Sequence, residues 1–122
     1  MAATKVRTSI NSATVMTAGA GDVTGTAVDL STGYGAQLDI KLTNGATGPT
    51  VPAQVQIEVA NDTGGTLWVK YGGPVAGVTT ASAVSSWSVD LPASVARVRL
   101  VSGSNTVQNV TLDADISQVT AI

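Results

Sequence analysis

The chain has no histidine, no cysteine and no phenylalanine, and charged side chains make up only 11% of its 122 residues. Each absence removes a class of chemistry. Without His, no side chain has an ordinary pKa suited to shuttling protons near neutrality, and nothing is present to activate the many Ser and Thr hydroxyls as nucleophiles. Lys5, Lys41 and Lys70 stand in no Ser/Lys arrangement that would substitute for it. Without Cys, a disulfide framework and the usual iron–sulfur or structural zinc sites are excluded. We therefore expect no enzyme, no catalytic residue, no cofactor and no metal centre. Six basic against eight acidic residues give a formal charge of −2. They leave no basic stripe to displace phosphate counterions, so nucleic acid is not an expected partner. No window approaches 18 uninterrupted apolar residues, which argues against a membrane-spanning helix. The start, MAATKVRTSI, lacks the apolar stretch of a secretory signal, so the expected site of synthesis is the cytoplasm.

What remains is apolar but small. Hydrophobic residues make up 43% of the chain, dominated by Val and Ala, and the aromatics are Tyr34, Trp68, Tyr71 and Trp87. Branching at Cβ stiffens Val and Thr and suits them to a pleated surface, while the straight-chain helix formers are scarce. An all-β domain follows. A chain of this length is near the commonest domain size and should bury roughly two-thirds of its unfolded surface. Soluble monomers carry about a quarter of their residues as charges, so much of this surface must be neutral Thr, Ser, Gly, Ala and Asn. Such a surface desolvates at little cost and suits a subunit packed against neighbours. The plainer reading is a weakly charged monomer.

The alternation of apolar and polar residues divides the chain. Residues 1–32 contain no aromatic and many Thr, Ala and Gly, and 1–25 read as an extended N-terminal arm, with short strands expected at 6–10 and 26–30 and a Gly-containing loop at 17–25. Residues 26–122 read as one β-sandwich domain. Tyr34, Ala36, Leu38, Ile40 and Leu42 share one face of a strand, and Asn44-Gly45 signals a turn. Val55, Ile57 and Val59 face inward from the next strand. We expect these two strands to be antiparallel neighbours, with Lys41 facing Glu58. A third strand, 66–71, is expected to turn Leu67, Val69 and Tyr71 inward and Trp68 outward. Trp87, Val89 and Leu91 continue the pattern, as do Ala96, Val98 and Leu100, and finally Val110, Leu112, Ala114 and Ile116. Arg97 and Arg99 should then pair with Asp113 and Asp115 across a hairpin. The spacing of about seven to nine short strands is that of an antiparallel β-sandwich or jelly-roll-like domain.

Few residues invite a chemical reading. Asp113 and Asp115 point the same way, as a cation site would require, but no further oxygen ligands are evident and an outer face neutralised by arginines is the plainer account. Residues 61–65, NDTGG, lack the acidic spacing of a calcium loop and read as a turn. The sequons at Asn61 and Asn109 matter only in a secretory pathway. Trp68 and Trp87 are suited to recognition, by stacking on a sugar ring or by anchoring an interface. Trp87 is in phase with Val89 and Leu91 and so reads as core. Trp68 is out of phase with its neighbours and is the stronger interface candidate, with Tyr71 and Pro74 close by in sequence.

The stretches LDIKLTNGATGPTVPAQVQIEVANDTGGTLWVKY and SVDLPASVARVRLVSGSNTVQNVTLDADI resemble the small virion proteins of tailed bacteriophages. In particular they resemble capsid decoration, or cement, proteins. That resemblance implies an oligomer, often a trimer, which binds the major capsid protein and copies of itself on the capsid surface of the virion and reinforces the shell. Lys5 and Arg7 in the arm are the residues expected at that contact, along with Trp68, Tyr71 and Pro74. A phage tail or connector component is the nearest alternative. A carbohydrate-binding or adhesin module, with a glycan as partner, is the distinct one.

Overall fold

Period-2 alternation over a Val-rich, Phe-free chain produces strands that each bury one face. A computed structural model describes residues 4–16, 23–103 and 110–121. Across them run ten strands: β1 (Thr4–Met16), β2 (Val23–Thr24), β3 (Val28–Asp29), β4 (Ala36–Asn44), β5 (Gln54–Ala60), β6 (Val69–Lys70), β7 (Val75–Ala76), β8 (Val84–Leu91), β9 (Arg97–Gly103) and β10 (Val110–Ala121). No helix among the described residues is long and apolar enough to cross a membrane.

The strands form two antiparallel sheets. One has the order β1-β10-β4-β8, and the other the order β2-β9-β5-β6, with β3 also pairing β9 and β7 also pairing β5. First and last strands are therefore neighbours, and β4 lies between β10 and β8, which it reaches only through long connections. Both edges of the second sheet are interrupted. β2 and β3 follow one another along β9, and β6 and β7 follow one another along β5, separated by Gly72, Gly73 and Pro74. Counting each interrupted edge as one strand gives two four-stranded sheets crossed repeatedly by the chain, which is the jelly-roll arrangement.

The core lies between the sheets. Leu38, Ile40 and Leu42 of β4 and Leu112, Ala114 and Ile116 of β10 meet Val55, Ile57 and Val59 of β5 and Val98 and Leu100 of β9, all buried. These are the residues that the alternation assigned inward. Trp87 is half-buried, opposite Ile40 in the β4–β8 register, and packs against this cluster with Val89 and Tyr71.

Residues 4–16, within the expected arm, are extended, and they lie along β10 of the same chain as β1. Residues 17–22, the centre of the expected Gly loop, are outside the described residues. The register of β1 slips between Thr4 and Lys5, between Ser9 and Asn11 and between Asn11 and Thr14. Three slips over a polar strand break the two-residue period, which is why its length was not legible.

Two expected pairings and the extent of one strand are corrected. β4 and β5 are not neighbours: they belong to opposite sheets, so Lys41 faces Asp113 and Ser86, and Glu58 faces Arg99 and Lys70. β9 and β10 are not a hairpin either, so Arg97 and Arg99 do not pair with Asp113 and Asp115. Alternation fixes which face is buried but not which strand lies alongside, and several placements of the same few charges satisfy complementarity. The strand expected over 66–71 shrinks to β6: Val69 lies opposite inward Val59 and Tyr71 packs against the core as expected, whereas Leu67 falls outside the strand. Leu67 is 70% exposed and Val69 48% exposed, while Trp68 is half-buried.

Candidate functional site

The expected contact residues do not converge on one surface. Lys5 and Arg7 lie on β1, at one edge of the four-stranded sheet. Trp68, Tyr71 and Pro74 belong to the segment that flanks β5 in the other sheet.

On the outer face of the four-stranded sheet, polar side chains from all four strands surround a shallow depression of about 630 Å³, lined by Arg7, Asp39, Lys41, Ser86, Ser88, Asp113 and Asp115 among others. Asp39 and Asp115 are directly opposed across β4 and β10. Like charges in that relation repel, and the neighbours offset it. Arg7 donates to Asp115 Oδ2 through Nε at 3.0 Å and through a second bond from Nη2, and the hydrogen bond to Asp115, reinforced by its charge, raises the arginine's already high pKa. Ser88 Oγ donates to Asp39 Oδ1 at 2.8 Å and accepts from Gln37 Nε2 at 2.6 Å. The face thus holds an internally compensated polar network. Among the described residues no group of three or more acidic side chains is placed to hold a metal ion.

The outer face of the second sheet is organised by Arg99. Its guanidinium donates to Glu58 Oε1 at 2.8 Å and sits 4.2 Å from the centroid of the Trp68 ring. Both partners of the ion pair are largely shielded from solvent. Arg97 Nη1 donates to the Thr63 carbonyl at 3.0 Å. Gly65, at φ 62, lets the chain turn back so that Trp68 and Arg97 pack beside it; a Cβ there would come within 3.1 Å of the Trp68 ring. Tyr71 is half-buried, with its hydroxyl donating to the Asp90 carbonyl at 3.0 Å, and Pro74 is exposed at the break between β6 and β7. Sequence reasoning singles out Trp68 as an interface candidate but does not pair it with Arg99: an Arg two positions from another on a strand gives no sign of which aromatic it covers.

Two carboxylates secure loops. Asp62 accepts from the backbone N–H and the hydroxyl of Thr66, both at 2.9 Å, forming the turn expected at 61–65. Asp29 accepts from the hydroxyl and the backbone N–H of Ser31. These bonds favour the ionised forms and hold both pKa values below the ordinary carboxylate range: the Thr66 N–H is the largest cause for Asp62 and the Ser31 hydroxyl for Asp29. A lowered folded-state pKa contributes stability that is complete above the unfolded value, about 3.9, and is lost as pH falls through the folded value. The melting midpoint should accordingly fall as pH drops below about 4. Thermal melts followed by circular dichroism between pH 6 and pH 2 check this, and an Asp29→Ala, Asp62→Ala double variant should show a shallower acid fall.

No protein-family model and no curated protein sequence matches this chain. Its fold does have structural neighbours. A chain from the structure of infectious bursal disease virus, Gx strain, superposes with a TM-score of 0.56 at 10% identity, covering 94% of this chain and 31% of that one. A subunit of the Bacillus endospore appendages, described as disulfide-linked pili, superposes with a TM-score of 0.54 at 14% identity, covering 100% of this chain and 93% of that one. The chain is an antiparallel β-sandwich of the kind these proteins share. It spans about a third of the viral chain and nearly all of the pilus one. At these identities the likeness is one of fold. Having no cysteine, this chain has no means of forming the disulfide links named for those pili.

Proposed function

We propose that the chain is a structural virion protein that decorates a bacteriophage capsid and stabilises it through non-catalytic contacts with the major capsid protein and with copies of itself. The observation that carries this reading is the way the few charges are used. Arg7 is paired with Asp115, Arg99 with Glu58, and Lys41 stands opposite Asp113. Much of the rest of the described surface is Thr, Ser, Ala and Gly, with Leu67, Val69 and Val84 exposed among them and Lys5, Asp29, Lys70 and Asp90 as scattered charges. Small neutral groups cost little to desolvate, and many weak copies on a repeating shell add up to stable occupancy. A β-sandwich fold similar to that of a virus chain and a pilus subunit supports the same reading. Lys5 and Arg7 on β1, with Trp68, Tyr71 and Pro74 on the opposite sheet, are the proposed contacts, and their separation suits a subunit touching more than one neighbour.

Purified chain mixed with empty phage heads should cosediment with them to a saturating occupancy. Tryptophan fluorescence should stay unchanged across a panel of soluble glycans, because Arg99 covers one face of Trp68 and Trp87 packs toward the core. Glycan-dependent quenching with no sedimentation on heads would replace this reading with that of a carbohydrate-binding module.

A further inference from the structure

A sheet edge presents unpaired backbone groups, and proteins usually blunt such edges with short or bulged strands, charges or proline. Three of the four edges here are blunted. β1 carries Lys5 and Arg7 and slips register three times. The edge made by β2 and β3 is two short pieces, and the edge made by β6 and β7 is interrupted at Gly72, Gly73 and Pro74. The fourth edge is β8. It pairs with β4 through eight consecutive residues, Val84 to Leu91, without a slip, contains no proline, and carries one charge, Asp90.

The backbone direction along β8 follows from one hydrogen bond. Asn44 N–H donates to the Ala83 carbonyl at 2.9 Å, in the same register as the Thr43–Val84 pair. In an antiparallel ladder successive residues alternate between facing one neighbour and facing away. Like the Ala83 carbonyl, the N–H and C=O groups of Ser85, Trp87, Val89 and Leu91 therefore point toward β4, and those of Val84, Ser86, Ser88 and Asp90 point outward. The Tyr71 hydroxyl bound to the Asp90 carbonyl agrees with this assignment.

We infer that β8 is a self-association edge, on which the β8 of a second copy pairs antiparallel about a two-fold axis at Trp87. Self-complementarity identifies the occupant. About that axis Ser86 meets Ser88 of the second copy and Val84 meets its Asp90, so every outward-facing residue meets another outward-facing residue, as hydrogen-bonded pairs require. The single charge never opposes itself. Trp87 meets Trp87 in a non-hydrogen-bonded pair, where side chains approach most closely and aromatic pairs stabilise a ladder. The two four-stranded sheets then become one continuous sheet, with an isologous contact closed at two copies. Asp90 already accepts from Tyr71, so the central Ser86–Ser88 pairs carry the contact. This inference concerns self-pairing and stands apart from whether the chain binds capsids.

The test is the mass of the full chain in solution by light scattering, with hydrogen exchange on the same samples. The wild type should have twice the 12.1 kDa monomer mass, with the amides of Ser86 and Ser88 protected. Ser86→Pro removes an N–H that points away from β4, and should give a folded monomer in which the Ser88 amide exchanges at least tenfold faster. Should Ser86→Pro fail to fold, Ser86→Lys places a charge on the edge and should give the same monomer. A monomeric wild type overturns the inference. So does a trimer, or any oligomer whose mass survives Ser86→Lys. Loss of head binding with an intact dimer would instead count against the capsid reading alone.

Discussion

Gly48→Ala should destabilise the chain by about 3 kcal/mol, the upper range for forcing extra atoms into a packed site. A Cβ at Gly48 would lie 1.8 Å from the Thr79 carbonyl oxygen, 2.8 Å from its carbon and 2.9 Å from the Ala81 nitrogen. All three are backbone atoms, so no side chain can rotate out of the way. The segment they belong to is also held in place. Buried Asn44 donates through Nδ2 to the carbonyls of Val78 and Thr80 at 2.8 and 2.7 Å, and Ser82 N–H donates to the Gly45 carbonyl at 2.8 Å. Moving Thr79 aside would break bonds that leave buried polar groups unpaired, at about 1–3 kcal/mol each. Urea unfolding measures the loss. Gly73→Ala is the control: nothing lies within 4 Å of its added Cβ, and it should leave the midpoint unchanged or slightly raised.

Leu38→Ala should cost about 3 kcal/mol and lower the melting midpoint by roughly 12 °C. Leu38 is fully buried on β4, between Ile116 of β10 and Val89 of β8, and faces the β5–β9 layer. Its removal leaves a cavity among β-branched side chains that have few rotamers with which to refill it. The contrast with Leu67→Ala is diagnostic. Strict alternation through residues 66–71 would bury Leu67, whereas the structure exposes it, so truncation there should change stability by less than about 0.5 kcal/mol. A loss at Leu67 comparable to that at Leu38 would show that the segment packs inward.

These two leucines mark how far the chain was legible. Long strands with an unbroken two-residue period, β4, β5 and β10, declared their inward faces, because half-burial in a sandwich imposes that period directly, although β10 runs on past Ile116 to Ala121. Trp87 was placed toward the core by the same phase. Leu67 was misplaced because β6 is only two residues long and begins after it, so Leu67 belongs to the segment leaving the turn secured by Asp62 and Gly65. Pairing was not legible at all. Lys41 had credible partners in Glu58 and Asp113, and Arg99 in Glu58 and Asp113, and only the order in which strands cross between sheets selects among them. The polar dish on the four-stranded sheet was invisible for that reason, since Arg7 and Asp115 come from opposite ends of the chain. The composition spoke most clearly about function, because the absence of His and Cys and the scarcity of charge turn attention from reactions to surfaces.

We propose that this chain acts by reinforcing an assembled shell. The most direct measurement is calorimetry of empty phage heads with and without saturating chain. Occupied heads should disrupt at a higher temperature than bare ones, by an amount that grows with occupancy and then levels off. An unchanged disruption temperature at full occupancy would contradict the claim.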